Sequence, residues 1–150
     1  MIIERVRDAE ALAALDARVR GAQAWSVSRF ETLANDEGYR LTGIADTATR
    51  ALLAFAVVSL GPFDLELEMI AVDPGHRRQG LAGHLIEAMI DDGKTSGLER
   101  VLLEVRAGNE AAQSLYRHYG FEMDGRRAGY YPLAPGRRED AILMSRPLTR

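Results

Sequence analysis

The sequence of 150 residues contains no cysteine, which excludes disulfide bridges, thiolate metal sites and a cysteine nucleophile. Lys94 is the only lysine, so a Schiff-base mechanism has almost nothing to work with. The three histidines, His76, His84 and His118, lack the i, i+4 spacing of a helical zinc pair, and no metal is expected. No apolar run is longer than Ala51–Val58, far too short to span a bilayer. The N-terminus has no basic segment followed by an apolar stretch and a cleavage site. These absences predict a cytoplasmic protein with no membrane partner. Nor is there an excess of positive charge: 19 basic against 22 acidic residues give a net charge of −3, and direct nucleic-acid binding is not expected.

What is present is enough for one core. The length fits a single domain over residues 1–150, and 47% of the residues are hydrophobic. Ile2–Val6 is β-branched enough for a first strand, and Asp8 caps a helix whose Leu12, Leu15 and Val19 recur at helical spacing up to Gly21. Ser26 caps a second helix carrying Phe30 and Leu33. Tyr39–Ala45 and Arg50–Leu60 predict a hairpin, and Leu65–Val72 a strand that alternates and then turns apolar. A helix follows with Leu81, Leu85, Ile86, Met89 and Ile90 on one stripe, closed by Asp91-Asp92-Gly93 through Gly97. Val101–Val105 is a strand, Asn109 caps a helix bearing Leu115, Tyr116 and Tyr119, and Gly120 stops it. Two last strands, near Phe121–Arg127 and Glu139–Ser145, flank a long loop holding Tyr130-Tyr131-Pro132. The fold class is α+β.

The stretch Ile70–Gly83 organises the rest. An apolar strand turns at Asp73-Pro74-Gly75 and presents Arg77, Arg78, Gln79, Gly80, Leu81, Ala82 and Gly83 at a helix start. Glycines admit a ligand close to the backbone, and the first amides of a helix, at the positive end of its dipole, favour an anion. The stretch lacks the Lys-Ser/Thr of triphosphate loops and the Gly-x-Gly-x-x-Gly of dinucleotide sites. A second block, Leu103-Glu104-Val105-Arg106, is followed by Asn109 and Tyr116, two helical turns apart on one face.

Arg77-x-x-Gly80-x-Ala82 is similar to the acetyl-CoA signature of the GNAT superfamily of N-acetyltransferases. With Ile-Ala-Val-Asp-Pro at 70–74, Leu-Glu-Val-Arg-Ala at 103–107, Leu-Tyr at 115–116, Gly-Phe at 120–121, Tyr-Tyr-Pro at 130–132 and Glu-Asp-Ala at 139–141, the C-terminal half resembles its RimI-type members. These are ribosomal-protein N-terminal alanine acetyltransferases. Residues before Ala51 match only in outline.

The resemblance implies a GNAT-like fold: a central mixed, mostly antiparallel, splayed β-sheet of about seven strands flanked by about four helices. It implies direct transfer from acetyl-CoA, as co-substrate, to the N-terminal α-amine of a protein or peptide, such as a ribosomal protein. The enzyme is expected as a monomer or weak homodimer. Glu104 would be the base and Tyr116 the acid; Ile70, Ala71 and Val72 would offer the oxyanion a backbone amide. Arg78–Gly83 would bind the pyrophosphate, with Arg77 also on the cofactor, Asn109 would contact the pantetheine arm, and Tyr130 and Tyr131 the acceptor. Glu66 falls where histone-type relatives carry their base and is an alternative to Glu104. Trp25 is either a packing anchor or an acceptor contact. A GNAT enzyme acting on a small amine or lysine side chain, and a non-catalytic acetyl-CoA-binding module, are the competing readings.

Overall fold

The first helix begins where the sequence offers a cap. In the computed structural model of the chain, which describes residues 1–148, the Asp8 carboxylate accepts the Ala11 amide at 3.1 Å. It thereby starts α1 (Ala9–Arg20). Ser26 repeats the device for α2 (Val27–Ala34), accepting the Arg29 amide at 3.1 Å. Between them Asp16 is wholly buried. It is held by Arg20 at 2.6 and 2.9 Å and by the Trp25 amide at 2.8 Å, so one carboxylate ties α1 to the connection that follows.

The strands are β1 (Ile2–Arg5), β2 (Tyr39–Ala45), β3 (Leu52–Leu60), β4 (Asp64–Val72), β5 (Arg100–Arg106), β6 (Glu122–Ala134) and β7 (Arg137–Pro147). They form one sheet in the order β1-β2-β3-β4-β5-β7-β6. Among the described residues every neighbouring pair is antiparallel except β4–β5. The remaining helices are α3 (Leu81–Thr95) and α4 (Glu110–His118). The expected mixed, splayed sheet of seven strands with four helices is the observed fold.

Helices α1 and α2 cover one face, where Leu12, Leu15 and Phe30 pack on Phe55, Val57, Met69 and Ala71. Helices α3 and α4 cover the other, where Leu85, Ile86, Met89 and Tyr116 pack on Ala56, Leu65, Leu67, Leu103 and Ile142. Burying a Leu, Ile or Phe side chain stabilises by about 1.5–3 kcal/mol, so these two layers supply most of the folding drive.

Two elements differ from the sequence expectation. β3 starts at Leu52 rather than Arg50, because the Asp46 carboxylate accepts the Ala48 and Thr49 amides, both at 2.9 Å, and prolongs the turn. α3 closes at Thr95, inside the expected stretch, and at its Gly93 a Cβ would come within 2.6 Å of Leu148 and 2.9 Å of Leu65, so this glycine lets the helix approach the sheet. Tyr130-Tyr131-Pro132 lies on a strand and not in a loop: β6 and β7 form a long hairpin that turns at Pro135-Gly136. Gly136 takes the left-handed φ of 78° that the turn requires. The hairpin register breaks between Arg127 and Tyr131. There Asp140 accepts Arg126 Nε at 2.5 Å and the Gly129 amide at 2.8 Å, holding the bulge that sets the direction of the two tyrosines.

Candidate active site

Strands β4 and β5 pair only from Asp64↔Arg100 to Leu67↔Leu103. Beyond that β4 stays with β3 as far as Val72 and β5 stays with β7 as far as Arg106, so the sheet splits. The cause is visible in the β3–β4 register, where Val57 faces Met69 but Val58 faces Leu67. Glu68 is the extra residue of a bulge, and its carboxylate accepts the Ser59 hydroxyl at 2.7 Å. Leu65 and Leu67 therefore enter the α3–α4 core while Met69 and Ala71, of the same parity, enter the α1–α2 core. Ile70 and Val72 are turned back towards α3.

A cavity of about 700 Å³ occupies the wedge. It is lined by β4 from Leu67 to Val72, by the start of α3 and the turn before it, by Leu103–Arg106, and by Asn109, Ala112, Leu115, Tyr116 and Tyr131. Of the residues proposed from sequence it brings together Ile70, Ala71, Val72, Arg77, Arg78, Gly80, Leu81, Ala82, Gly83, Glu104, Asn109, Tyr116 and Tyr131. Gln79, Trp25, Tyr130 and Glu66 are not among its lining residues.

The turn into α3 is built on Asp73. Its carboxylate accepts the Gly75 amide at 3.2 Å and Arg18 Nε at 3.1 Å, and lies 2.8 Å from His76 Nδ1. The bond to His76 is the main influence holding its pKa below the ordinary aspartate value; desolvation opposes it, and the bonds from Arg18 and Gly75 add to the lowering. His76, which the sequence marked only as lacking zinc-pair spacing, lines the cavity and braces the turn. Arg78 and Gly80 both take positive φ, 66° and 76°. A left-handed arginine is costly, and such strain gathers where a loop must present its backbone. Gly80 is the N-cap of α3 and has no side chain to satisfy the first amides; it lines the cavity with Leu81, Ala82 and Gly83, beside Arg77 and Arg78.

Glu104 Oε1 lies 3.4 Å from Arg127 Nη1. Glu66 sits on the neighbouring strand, where partial desolvation, then the charges of Glu68 and Glu104, raise its pKa above the ordinary glutamate value, with Arg127 opposing. Arg106 does not pair with Glu104: it reaches Glu139 at 3.2 Å and lies 4.2 Å over the Tyr131 ring. Burial, then the nearby Glu104 carboxylate, raises the Tyr131 pKa. Tyr116 packs against Phe121 with ring centroids 5.8 Å apart, and burial pushes its phenol up to about 12. Asn109 caps α4, its Oδ1 accepting the Ala112 amide at 3.1 Å, and still lines the cavity. Tyr130 and Tyr131 meet edge to face at 5.0 Å. Trp25 packs on Phe30 at 5.7 Å, with the Arg29 guanidinium 3.8 Å over its ring.

An elongated ligand with an anionic middle and a reactive end fits this cavity. The α3 amides and Arg77–Arg78 suit a pyrophosphate, and the β4 edge beyond Leu67, which faces no strand on that side among the described residues, suits an amide-bearing arm. Acetyl-CoA has that sequence of groups. Among the described residues no group of three acidic or histidine side chains could hold a metal ion.

The model of the Acetyltransferase (GNAT) family matches residues 8–121. The [ribosomal protein bS18]-alanine N-acetyltransferase of Escherichia coli strain K12 is 40% identical over 119 residues, covering 79% of this chain and 80% of that relative. The protein of the same description from Haemophilus ducreyi is 35% identical over 114 residues, covering 76% and 79%. The crystal structure of the E. coli ribosomal-protein-S18-alanine N-acetyltransferase superposes with a TM-score of 0.88 at 34% identity, over 99% of this chain and 94% of that one. A split sheet with a glycine-capped helix start at its wedge, together with these likenesses, places the chain: it belongs to the GNAT family of acetyl-CoA-dependent acyltransferases, as a homologue of the RimI-type ribosomal-protein alanine N-acetyltransferases.

Proposed function

We propose that the protein acetylates the N-terminal α-amine of a protein, in the manner of the ribosomal-protein alanine N-acetyltransferases, by direct transfer within a ternary complex. The observation that carries this reading is that Glu104 and Tyr116, from different elements, line one cavity with the α3 anion site, in a chain 40% identical to such an enzyme over 119 residues.

An N-terminal ammonium has a pKa of about 7.7–8.0, so a carboxylate acting directly or through water suffices to free the amine. Glu104 is that carboxylate. Backbone amides of the freed β4 edge at Ile70–Val72 meet the negative charge that develops on the thioester oxygen. The Tyr116 phenol donates its proton to the leaving thiolate, whose conjugate acid has a pKa of roughly 8.5, and is itself kept protonated by burial. Arg77–Gly83 hold the pyrophosphate and Asn109 the pantetheine arm, while Tyr131 and Tyr130 border the acceptor's approach. Trp25 acts on the acceptor side only through the α1–α2 connection it anchors.

The acceptor is a protein N-terminus, the working form is a monomer or weak homodimer, and the compartment is the cytoplasm. The test is an acceptor profile: purified protein, acetyl-CoA, and peptides with free or blocked N-termini beside lysine-containing peptides and small amines. Transfer confined to free α-amines, best on an N-terminal alanine, is the expected result. Transfer that survives N-terminal blocking, or that occurs on small amines alone, overturns the reading; binding of acetyl-CoA with no turnover favours a non-catalytic module.

A further inference from the structure

Glu139 opens the Glu-Asp-Ala motif of β7, yet it is not among the residues that line the cavity. Its carboxylate is mostly withdrawn from solvent, and both oxygens are engaged at the end of β5 and the loop that leads to α4. Oε2 accepts the Gly108 amide at 2.7 Å, and Oε1 accepts Arg106 Nη1 at 3.2 Å. Gly108 is not among the glycines of positive φ, so the backbone does not require a glycine there. The carboxylate does: a Cβ on Gly108 would stand 2.5 Å from Glu139 Oε2.

Both ends of this tie reach the cavity wall. The Arg106 guanidinium lies 4.2 Å over the Tyr131 ring, and Tyr131 is the residue paired with Glu139 across the β6–β7 hairpin, which puts the two side chains on one face. In the other direction the Arg106 carbonyl accepts the Asn109 amide at 3.0 Å. Gln113 Nε2 donates to the Arg106 and Ala107 carbonyls at 3.1 and 2.9 Å, which joins the loop to α4. Arg106, Asn109 and Tyr131 all line the cavity, on either side of a residue that does not.

Side chains that bind substrates keep their geometry only when a supporting layer fixes them. We propose that Glu139 is a positioning residue that sets two walls of the site at once. Through the Gly108 amide it fixes the loop that presents Asn109 to the donor's arm, and through Arg106 it holds the Tyr131 ring beside the acceptor. The proposal rests on Asn109 as a contact of acetyl-CoA and on Tyr131 as a contact of the acceptor peptide.

The test compares wild type with Glu139→Ala, Glu139→Gln, Gly108→Ala, and Gly108→Ala combined with Glu139→Ala. Each protein is read by calorimetric titration with acetyl-CoA, by the NMR signals of the Tyr131 ring without substrates, and by the KM for a peptide beginning with alanine. Glu139→Ala is expected to weaken acetyl-CoA binding and to raise the peptide KM, each by about tenfold, the effect of one lost charge-assisted hydrogen bond, and to move the Tyr131 signals. Gly108→Ala, whose Cβ would displace the carboxylate, reproduces these effects and adds nothing in the Glu139→Ala background. Glu139→Gln keeps an acceptor for one of the two donors and loses less. Losses that add in the double variant, or weakened acetyl-CoA binding with unmoved Tyr131 signals, overturn the proposal. So do a lowered kcat and Tm with all three readings unmoved, which leave Glu139 a structural residue. Coupled changes in the titration and the Tyr131 signals, in a protein that does not acetylate the peptide, uphold the tie and overturn the reading of the acceptor, so the two failures are distinguishable.

Discussion

Gly83, in the first turn of α3, lies so close to the Tyr119 ring at the end of α4 that a Cβ added there would overlap the hydroxyl and sit 3.0 Å from Cζ. The contact sets the distance between the helix that offers its amides to the cavity and the helix that carries Tyr116. Replacing Gly by Ala inside a helix ordinarily gains about 1 kcal/mol, whereas overpacking costs about 1–3 kcal/mol. Gly83→Ala is expected to destabilise the protein by about 1 kcal/mol, and to become stabilising in a Tyr119→Leu background. Urea unfolding of the four proteins of this cycle measures the change of sign.

Glu104→Gln is expected to lower kcat by about 10²–10³-fold with little change in the KM for acetyl-CoA, because a general base acts in the transition state rather than in binding the donor. Glu66→Gln, which removes a carboxylate that does not line the cavity, is expected to cost less than tenfold. Steady-state kinetics of both variants ranks them; the opposite order transfers the base role to Glu66.

Tyr116 makes a prediction in both activity and stability. With its phenol near 12, it remains a proton donor throughout the working pH range, so Tyr116→Phe lowers kcat without moving a basic limb below about pH 11. In the unfolded chain the phenol ionises near 10. Stability tied to its folded-state value is therefore complete below about pH 10 and is lost as pH rises through 10 to 12, by about 2–3 kcal/mol. Unfolding free energies at pH 9 and 11.5 should fall more steeply for wild type than for Tyr116→Phe.

Asp16 is buried without losing its charge. Burial alone raises its pKa, but the Arg20 guanidinium and the Trp25 amide more than offset that and hold it below the ordinary aspartate value. Such a group contributes stability above its unfolded pKa of about 3.9, lost as pH falls through the folded value. Asp16→Asn leaves Arg20 uncompensated and is expected to cost about 3 kcal/mol. Trp25, the single tryptophan, reports the event: acid titration of its fluorescence should show the α1–α2 connection loosening below about pH 4 in wild type, and a flat response there in the variant.

Much of this could be seen in the chain before folding. The caps Asp8, Ser26 and Asn109 signalled three helix starts because a capping side chain acts on amides two or three residues away. The turn at Asp73-Pro74-Gly75 and the glycine-bearing start of α3 were legible for the same reason. What could not be read was long-range. The Glu68 bulge leaves the alternation of Leu65, Leu67, Met69 and Ala71 intact while sending its two halves to opposite faces, so the pattern looks regular where the structure reverses. The strand character of Tyr130–Pro132 was masked by proline and glycine, which a bulged hairpin tolerates. Arg127 carried no signal as the partner of Glu104, because β6 and β5 are brought into range only through β7.

The split between β4 and β5 also bears on solubility. An ordinary open sheet ends in two edges whose unpaired backbone can recruit another chain. Here two more edges are created inside the sheet, along Glu68–Val72 and Glu104–Arg106. They face a wedge closed at its apex by four paired residues on each strand and walled by α3 and α4. A single extended arm can slide into that notch; the edge of a second folded sheet, with its own flanking layers, has no approach to it. The protein thus exposes unpaired backbone to a narrow ligand while denying it to its own copies.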